Sequence, residues 1–314
     1  MNISLAEAGE IIKKSQNVVI TAHENPDGDA VGSCLALMHY LNSLGKNANV
    51  VIDDDIPANY AIVPGAQSIE RPEAIAENVD LLVVLDSSLD RIGKVEEKCK
   101  GAVVLNLDHH VSNDGKAEYV YVDSKRAAAA EIVFELFELL NAKISEEMAA
   151  ALYTGLATDT GFFKYSNTTP YTMRAAADCI AAGAKPNIIS EALEAKPFEV
   201  VKGMAAAMQT IEIVQGGKIA GMYLNRETMK TIDSTEGFID FVRIIDGVDV
   251  AVLIKNVDDK LCRVSMRSKG FDVNKIAMSL GGGGHVRAAG CTLHCDLPEA
   301  KEQVLTALIK AMGE

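Results

Sequence analysis

Carboxylate and imidazole side chains recur in the first half of the chain, most of them where an apolar segment ends. They are His23, Asp27, Asp29, Asp86, Asp108, His109, His110 and Asp159. Crowded carboxylates repel one another and resist joint ionisation, whereas divalent cations remove that repulsion. A mixed carboxylate and imidazole set suits Mn²⁺, Co²⁺ or Mg²⁺ better than a thiolate-preferring metal. These residue types therefore predict a divalent cation site, provided that the fold brings them together.

The apolar segments before these residues have the length and composition of buried strands. We predict strands at 18–22, 48–52, 81–85 and 103–107, and helices at 4–15, 30–44, 127–140, 145–157 and 170–182. Alternating strands and helices imply a mostly parallel sheet with helices on both faces. Ligands of such sheets bind beyond the carboxyl ends of the strands, so residues that are distant in sequence can converge there.

Each of these residues alone also has an ordinary structural interpretation. Asp27 with Gly28 is a common turn pair, and Asp29 and Asp86 can each cap a helix. The conjunction favours function, because packing alone does not require Asp or His at three strand ends and in one further segment.

The second half of the chain predicts a smaller α/β domain. We expect strands at 211–214, 219–224, 250–255 and 261–266, a helix at 273–280 and a last helix from residue 298. Glycine and proline residues punctuate the preceding stretch. We therefore predict a catalytic domain at 1–185, a linker at 186–204 and a substrate-binding domain at 205–314.

A run of glycines, Gly281 to Gly284, precedes His285 in the second half. It can be a flexible loop, or a backbone nest for phosphate oxygens with His285 as a side-chain donor. Arg267, at the end of a predicted strand, can pair with phosphate. Cys291, His294 and Cys295 lack a second Cys/His pair with zinc spacing, so we interpret them as ordinary strand residues and neighbours.

The composition narrows the class of substrate and the compartment. The net charge is -14, whereas proteins that grip long nucleic acid carry a basic footprint. No apolar tract is long enough to span a membrane, and the N-terminus does not resemble a signal peptide. The 6 scattered cysteines fit reduced thiols. We expect a cytoplasmic protein that binds no membrane and no long nucleic acid.

Whole motifs of the sequence resemble those of the DHH phosphoesterases. The motifs are AHENPDGDAVGS, VVLDSS, LDHH and GLATDTGFF, followed in the second half by GGGGHVRAAG. Their number and order most resemble the NrnA-type subgroup, enzymes that degrade nanoRNA and hydrolyse 3′-phosphoadenosine 5′-phosphate (pAp). The resemblance spans nearly the whole chain and implies a C-terminal DHH-associated domain that binds the nucleotide.

The resemblance also implies a role for each site residue. Two divalent ions, usually Mn²⁺, would bind, one to His23, Asp27 and Asp86 and the other to Asp29, Asp86, His109 and Asp159. His110 would face the leaving oxygen, with Asp108 orienting the histidines. Arg267, the backbone of Gly282, Gly283 and Gly284, and His285 would bind the substrate. A homodimer is a further expectation. Residues 127–130 depart from the subgroup pattern, because all four are alanine where Ser or Thr is common.

We therefore expect two-metal, in-line hydrolysis of short RNA or pAp. A phosphodiesterase for linear or cyclic dinucleotides, such as pApA or cyclic di-AMP, is the nearest alternative. A pyrophosphatase fits the glycine run less well, and the acidity disfavours a processive exonuclease. A non-catalytic nucleotide sensor is a remote alternative, because such a protein should have lost a metal ligand.

Overall fold

Five parallel strands form the centre of the N-terminal half in the computed structural model, which describes residues 1–230, 232, 235 and 237–313. They are β1 (Asn17–Thr21), β2 (Asn47–Val50), β3 (Leu81–Leu85), β4 (Val103–Asp108) and β5 (Tyr119–Val122), in the order β2-β1-β3-β4-β5. The four predicted strands are confirmed. The sequence pattern did not predict β5, a short edge strand in which Val120 is the one buried residue. Since all five strands are parallel, their carboxyl ends meet at one edge.

Helices cover the sheet unequally. They are α1 (Leu5–Lys14), α2 (Gly28–Ser43), α3 (Val95–Lys98), α4 (Ala129–Leu139), α5 (Glu146–Asp159), α6 (Pro170–Ala181) and α7 (Pro186–Glu194). A large apolar core joins α1, α2, α4 and α5 to one face of the sheet. On the other face, Leu82 and Val84 pack with Ile92 and with Val95, the first residue of α3. Short 3₁₀ turns complete this thinner layer. The predicted parallel α/β architecture is confirmed.

The helices α2 and α5 approach each other very closely at Gly32. A Cβ atom at this position would lie 2.4 Å from the carbonyl oxygen of Ala151 in α5. Only glycine therefore permits this contact between the two backbones. The close crossing matters for the site, because α2 carries Asp29 near its start and α5 ends at Asp159.

The chain divides into two compact units, Met1–Ala195 and Lys196–Glu314. The stretch predicted as a linker is helical on both sides of this division. It contains α7 and most of α8 (Phe198–Met208).

The C-terminal unit is built on a mixed sheet of six strands. They are β6 (Glu212–Val214), β7 (Ile219–Leu224), β8 (Val250–Asp258), β9 (Leu261–Ser268), β10 (Gly283–His285) and β11 (Ala288–Leu293), in the order β10-β11-β9-β8-β7-β6. Only β7 and β8 pair in parallel among these described strands. Its further helices are α9 (Arg226–Met229), α10 (Phe238–Arg243), α11 (Val273–Ser279) and α12 (Leu297–Gly313). The predicted second α/β domain is confirmed.

The glycine run forms the turn after α11 and then an edge strand. Gly283 pairs with Gly290, and His285 with Ala288, in the antiparallel hairpin of β10 and β11. The amide of Gly282 donates to the carbonyl of Ala277 at 2.8 Å. Ordered pairing therefore replaces the flexible loop that was one interpretation of the run. Among the described residues, no helix is both long and apolar enough to cross a membrane.

Candidate metal centre

The carboxyl edge of the parallel sheet gathers the carboxylate and imidazole residues singled out in the sequence. Parallel strands deliver their ends to one edge, and α2 and α5 add residues from the helical layer. The edge holds His23, Asp86, Asp108, His109 and His110 from the strand ends, Asp27 and Asp29 from the start of α2, and Asp159 from the end of α5.

A first group of possible ligands comprises His23, Asp27 and Asp86. Nε2 of His23 lies 3.6 Å from Oδ2 of Asp86 and 3.9 Å from Oδ2 of Asp27. One ligand atom from each residue lies within 4.8 Å of the other two. The other oxygen of Asp27 caps α2 by accepting the amides of Asp29 and Ala30. The cap fixes the carboxylate and directs Oδ2 towards His23.

A second group comprises Asp29, His109 and Asp159. Nε2 of His109 lies 3.8 Å from Oδ2 of Asp29 and 3.5 Å from Oδ2 of Asp159. The same nitrogen lies 3.3 Å from Oδ1 of Asp86. Asp86 therefore presents one oxygen to His23 in the first group and the other to His109 in the second. The Asp86 carboxylate therefore lies between the two groups, as a member of the first and next to His109 of the second.

Backbone carbonyls orient both histidines. Nδ1 of His23 lies 2.8 Å from the carbonyl oxygen of Glu24, and Nδ1 of His109 lies 3.2 Å from that of Arg126. Each Nδ1–H donates to its carbonyl, which leaves Nε2 as the nitrogen that faces the carboxylates. Histidine ligands in metal sites are commonly oriented by such a bond from the other ring nitrogen.

The carboxylates are crowded enough to shift one another's ionisation. Burial, followed by the charges of Asp86 and Asp159, raises the pKa of Asp29 well above its usual value. Burial also raises the pKa of Asp159 to about 7, although the charge of His109 opposes the rise. Burial would lower the pKa of His23, but Asp86 outweighs it and raises that pKa to about 9. Without cations, the cluster therefore retains protons.

Three features of this cluster fit a pair of divalent cations. Burial disfavours the charge of Asp86, but the close approach of His109 and His23 holds its pKa below the usual range. Oδ1 of Asp86 is buried, yet within the described part of the chain no donor reaches it with regular hydrogen-bond geometry. The donor set of carboxylate oxygens and imidazole nitrogens suits Mn²⁺, Mg²⁺ or Co²⁺.

His110 has a different environment from His109. Its Nδ1 lies 2.8 Å from Oδ1 of Asp108, a fully buried carboxylate. Oδ1 of Asp108 also accepts the backbone amides of His109 and His110. Burial would lower the pKa of His110, but the bond to Asp108 and the charge of Asp86 raise it. The pKa of His110 is therefore shifted towards the protonated ring relative to a free imidazole, and Asp108 anchors the ring.

The C-terminal sheet carries a cationic face. Arg263, Ser265 and Arg267 alternate with buried residues along β9, so these three share one face. Lys255 of β8 is the cross-strand partner of Arg263 and donates to the hydroxyl of Thr235 at 3.0 Å. Burial, together with Arg263, lowers the pKa of Lys255. Neighbouring cations on a partly buried surface favour an anionic ligand.

Comparison with known proteins agrees with this geometry. Residues 17–156 match the model for the DHH family, N-terminal domain, and residues 216–314 match the DHHA1 domain. The bifunctional oligoribonuclease and PAP phosphatase NrnA of Thermus thermophilus is 34% identical over 302 residues, covering 95% of this chain and 91% of that protein. The chain belongs to the DHH family. The resemblance inferred from the motifs is confirmed.

Two further proteins resemble this DHH protein. The cyclic-di-AMP phosphodiesterase PdeA of Listeria monocytogenes is 26% identical over 322 residues, covering 95% of this chain and 48% of PdeA. The crystal structure of an exopolyphosphatase-related protein from Bacteroides fragilis superposes with a TM-score of 0.90 at 24% identity, covering 98% of this chain and 95% of that one. That structure supports the fold alone.

Membership of the DHH family gives the class of reaction. Members of the family are metal-dependent hydrolases of phosphate esters, and this protein is a phosphoesterase of that kind. Its acidic and histidine groups provide places where metal ions can bind.

Sequence reasoning missed several residues that shape this DHH site. Asn106 and Asn113 contact the loop of Asp86 and the carboxylate of Asp108, respectively. The amide of Asn167 donates to the carbonyls of Ala127 and Asp159. Asn106 and Asn113 flank the LDHH motif, and this position could have marked them as candidate site residues. Nothing in the sequence pointed to Asn167.

Proposed function

We propose that this protein hydrolyses short oligoribonucleotides and pAp with a pair of divalent cations, Mn²⁺ in the first place. The observation that carries the proposal is the pair of ligand groups joined by Asp86. The activities in the name of the Thermus thermophilus relative support the choice of substrates. The net charge of -14 supports a small substrate over a long polyanion.

In this proposal, the N-terminal domain holds the cations. His23, Asp27 and Asp86 bind one, and Asp29, Asp86, His109 and Asp159 bind the other. When bound, such a pair activates water near neutral pH and neutralises charge on the phosphate oxygens. The chain's own contribution is to aim each ligand, through the cap of α2 and the two backbone carbonyls that orient the histidines.

His110 acts at the leaving oxygen in this scheme. A protonated imidazole donates a proton or a hydrogen bond to the departing ribose oxygen, which stabilises the charge that develops there. Asp108 orients the ring through Nδ1 and favours the charged form. The raised pKa of His110 supports this assignment, because the donor must carry its proton before bond cleavage.

The C-terminal domain would hold the rest of the nucleotide. Arg267 lies on the cationic face of the sheet, and the exposed edge of β10 presents Gly283, Gly284 and His285. Gly282 would contribute through its position rather than its amide, which is bonded to Ala277. Holding the second phosphate or the base of the substrate would provide positioning and a limit on length.

Linear or cyclic dinucleotides are a second candidate class of substrate. The likeness to the Listeria monocytogenes PdeA, named as a cyclic-di-AMP phosphodiesterase, supports it. A dinucleotide would present one phosphodiester to the metal centre.

One substrate panel tests both candidates. Purified protein is assayed with pAp, pApA, cyclic di-AMP, RNA of two to five nucleotides and RNA of about 30 nucleotides. Each substrate is tested with Mn²⁺ and with chelator. We expect turnover of pAp and of the shortest RNA, loss with chelator and poor cleavage of long RNA. Preference for cyclic di-AMP would favour the second candidate. Nucleotide binding without any turnover would support a sensor instead.

A further inference from the structure

Asp86 has an unusual backbone conformation for an aspartate. Its φ angle is 55°, in the left-handed region. This region is strained for an L-amino acid, although Asp tolerates it better than most. The residue is also buried, with a relative exposed area of 2%. Strained backbone at a functional position persists only where the surroundings determine it.

The side-chain amide of Asn106 holds the turn that contains Asp86. Its Nδ2 donates to the carbonyl of Val84 at 3.0 Å and to the carbonyl of Ser87 at 2.8 Å. These carbonyls lie on either side of Asp86, so a single amide closes the turn around it. The backbone amide of Asp86 donates to the carbonyl of Leu107, in the strand that carries Asn106.

A second amide, that of Asn113, continues the network towards His110. Its Nδ2 lies 2.8 Å from Oδ1 of Asn106 and 2.6 Å from Oδ2 of Asp108. The carbonyl oxygen of Ser87 is a more distant neighbour, at 3.3 Å. Both hydrogens of each amide thus have acceptors. Because the neighbouring groups are acceptors, a flipped amide would set oxygen against oxygen, so the network specifies one arrangement.

We propose that Asn106 and Asn113 form one positioning unit, which fixes Asp86 and His110 relative to each other. The inference rests on the proposed function, in which Asp86 is the ligand shared by both cations and His110 serves the leaving oxygen. Asn106 holds the turn of Asp86, and Asn113 joins Asn106 to Asp108, the partner of His110. Neither asparagine touches substrate or metal in this scheme.

Three variants and a matched control test the unit. The variants are Asn106→Ala, Asn113→Ala and the double variant. The control is Asn42→Ala, because the amide of Asn42 also makes two bonds to backbone, with the carbonyl and the amide of Ala48, away from the metal centre. For each protein we would measure thermal unfolding without metal, Mn²⁺ affinity by calorimetry, and kcat and KM for pAp.

Each single variant should lose about 10- to 100-fold in Mn²⁺ affinity and in kcat, with KM within about twofold of wild type. The double variant should lose about as much Mn²⁺ affinity and kcat as the more impaired single variant, because the two amides act through one path. Asn42→Ala should lose stability but keep Mn²⁺ affinity and kcat. Since Asn113 is only partly buried, Asn113→Ala carries the test if Asn106→Ala does not fold.

Wild-type Mn²⁺ affinity and kcat in the folded single variants would overturn the inference. It would also be wrong if Asn42→Ala reproduced their losses, or if the losses in the double variant were additive. Failure of the proposed function looks different, since wild-type protein would then bind Mn²⁺ without hydrolysing pAp. In that case the Mn²⁺ titrations would still report on the asparagines.

Discussion

Asp86 lies between the two ligand groups and presents one carboxylate oxygen to each. Its Oδ2 approaches His23, and its Oδ1 approaches His109. Among the described residues, Asp86 thus contacts a histidine of each group. A substitution that removes the charge or the carboxylate of Asp86 should therefore weaken cation binding at both proposed sites.

Asp86→Ala should abolish turnover of pAp and short RNA, by about 1,000-fold or more, because both cations lose a ligand. Folding should be largely retained, since the two neighbouring strands keep their ladder. Steady-state kinetics with saturating Mn²⁺, alongside circular dichroism, measure the two effects. His39→Ala is a suitable control, because His39 bonds to the carbonyl of Pro64 and not to the cluster. Near wild-type turnover in Asp86→Ala would show that Asp86 is not the shared ligand.

Much of the candidate site could be predicted from the residue types and their order in the sequence. Strand ends of a parallel sheet must meet at one edge, so His23, Asp86 and His109 could be expected to converge from the sequence alone. The amides of Asn106 and Asn113 could not be assigned in that way. Their role depends on which carbonyls lie within hydrogen-bond distance, and strand periodicity does not determine that.

At the scale of elements, the start of α4 depends on a residue of α2. Ala128 at the N-cap of α4 has no polar side chain. The amides of Ala129 and Ala130 donate instead to Asp29, at 2.6 and 2.8 Å. Two of the alanines that depart from the subgroup pattern thus bind the Asp29 carboxylate through their backbone amides. Asp29 therefore couples the proposed metal site to the packing of α4 on α2.

Asp29→Ala should destabilise even the metal-free protein, by about 1–3 kcal/mol, because two buried amides lose their acceptor. Urea unfolding in the presence of chelator measures this. Asp159→Ala is the matched control, because within the described chain its carboxylate caps no helix. Equal stabilities for the two variants would contradict a structural role for Asp29 beyond metal binding.

The glycine run shows where element prediction from the sequence stopped. From the sequence, the four glycines were compatible with either a flexible loop or a phosphate nest. The structure instead has a turn followed by the edge strand β10. Short edge strands such as β5 and β10 depend on pairing with distant residues, which local propensity does not encode. The longer buried strands were predictable because their apolar runs are continuous.

Gly282→Ala should destabilise the C-terminal domain by about 1–3 kcal/mol through overpacking. A Cβ atom there would lie 2.1 Å from the carbonyl oxygen of Gly290 and 2.5 Å from Cβ of Cys291. Gly283→Ala is the control, because a Cβ atom at that position meets no described atom within 4 Å. Urea unfolding compares the two variants, and equal stabilities would argue against this close packing.

At the scale of the whole molecule, the two domains have separate chemical characters. The N-terminal domain concentrates carboxylates and imidazoles, whereas β8 and β9 of the C-terminal domain present lysine and arginine on one face. The proposal assigns bond cleavage to the first and nucleotide recognition to the second. Variants in the two domains should therefore differ in kinetic signature.

Arg267→Ala should raise KM for pAp by about tenfold or more, because a bidentate phosphate contact is lost. Hydrolysis of bis-p-nitrophenyl phosphate, which lacks the second nucleotide phosphate, should change little. Arg226→Ala is the control in the same domain, since Arg226 pairs with Asp258 and Asp259 at the surface. Equal effects of Arg267→Ala on both substrates would remove Arg267 from nucleotide recognition.

The most direct test of the account is an anomalous diffraction map of crystals grown with Mn²⁺. The account predicts two peaks on opposite sides of the Asp86 carboxylate, one bound by His23 and Asp27 and the other by Asp29, His109 and Asp159. A fully ordered map with no peak between these residues, or with both ions elsewhere, would contradict it.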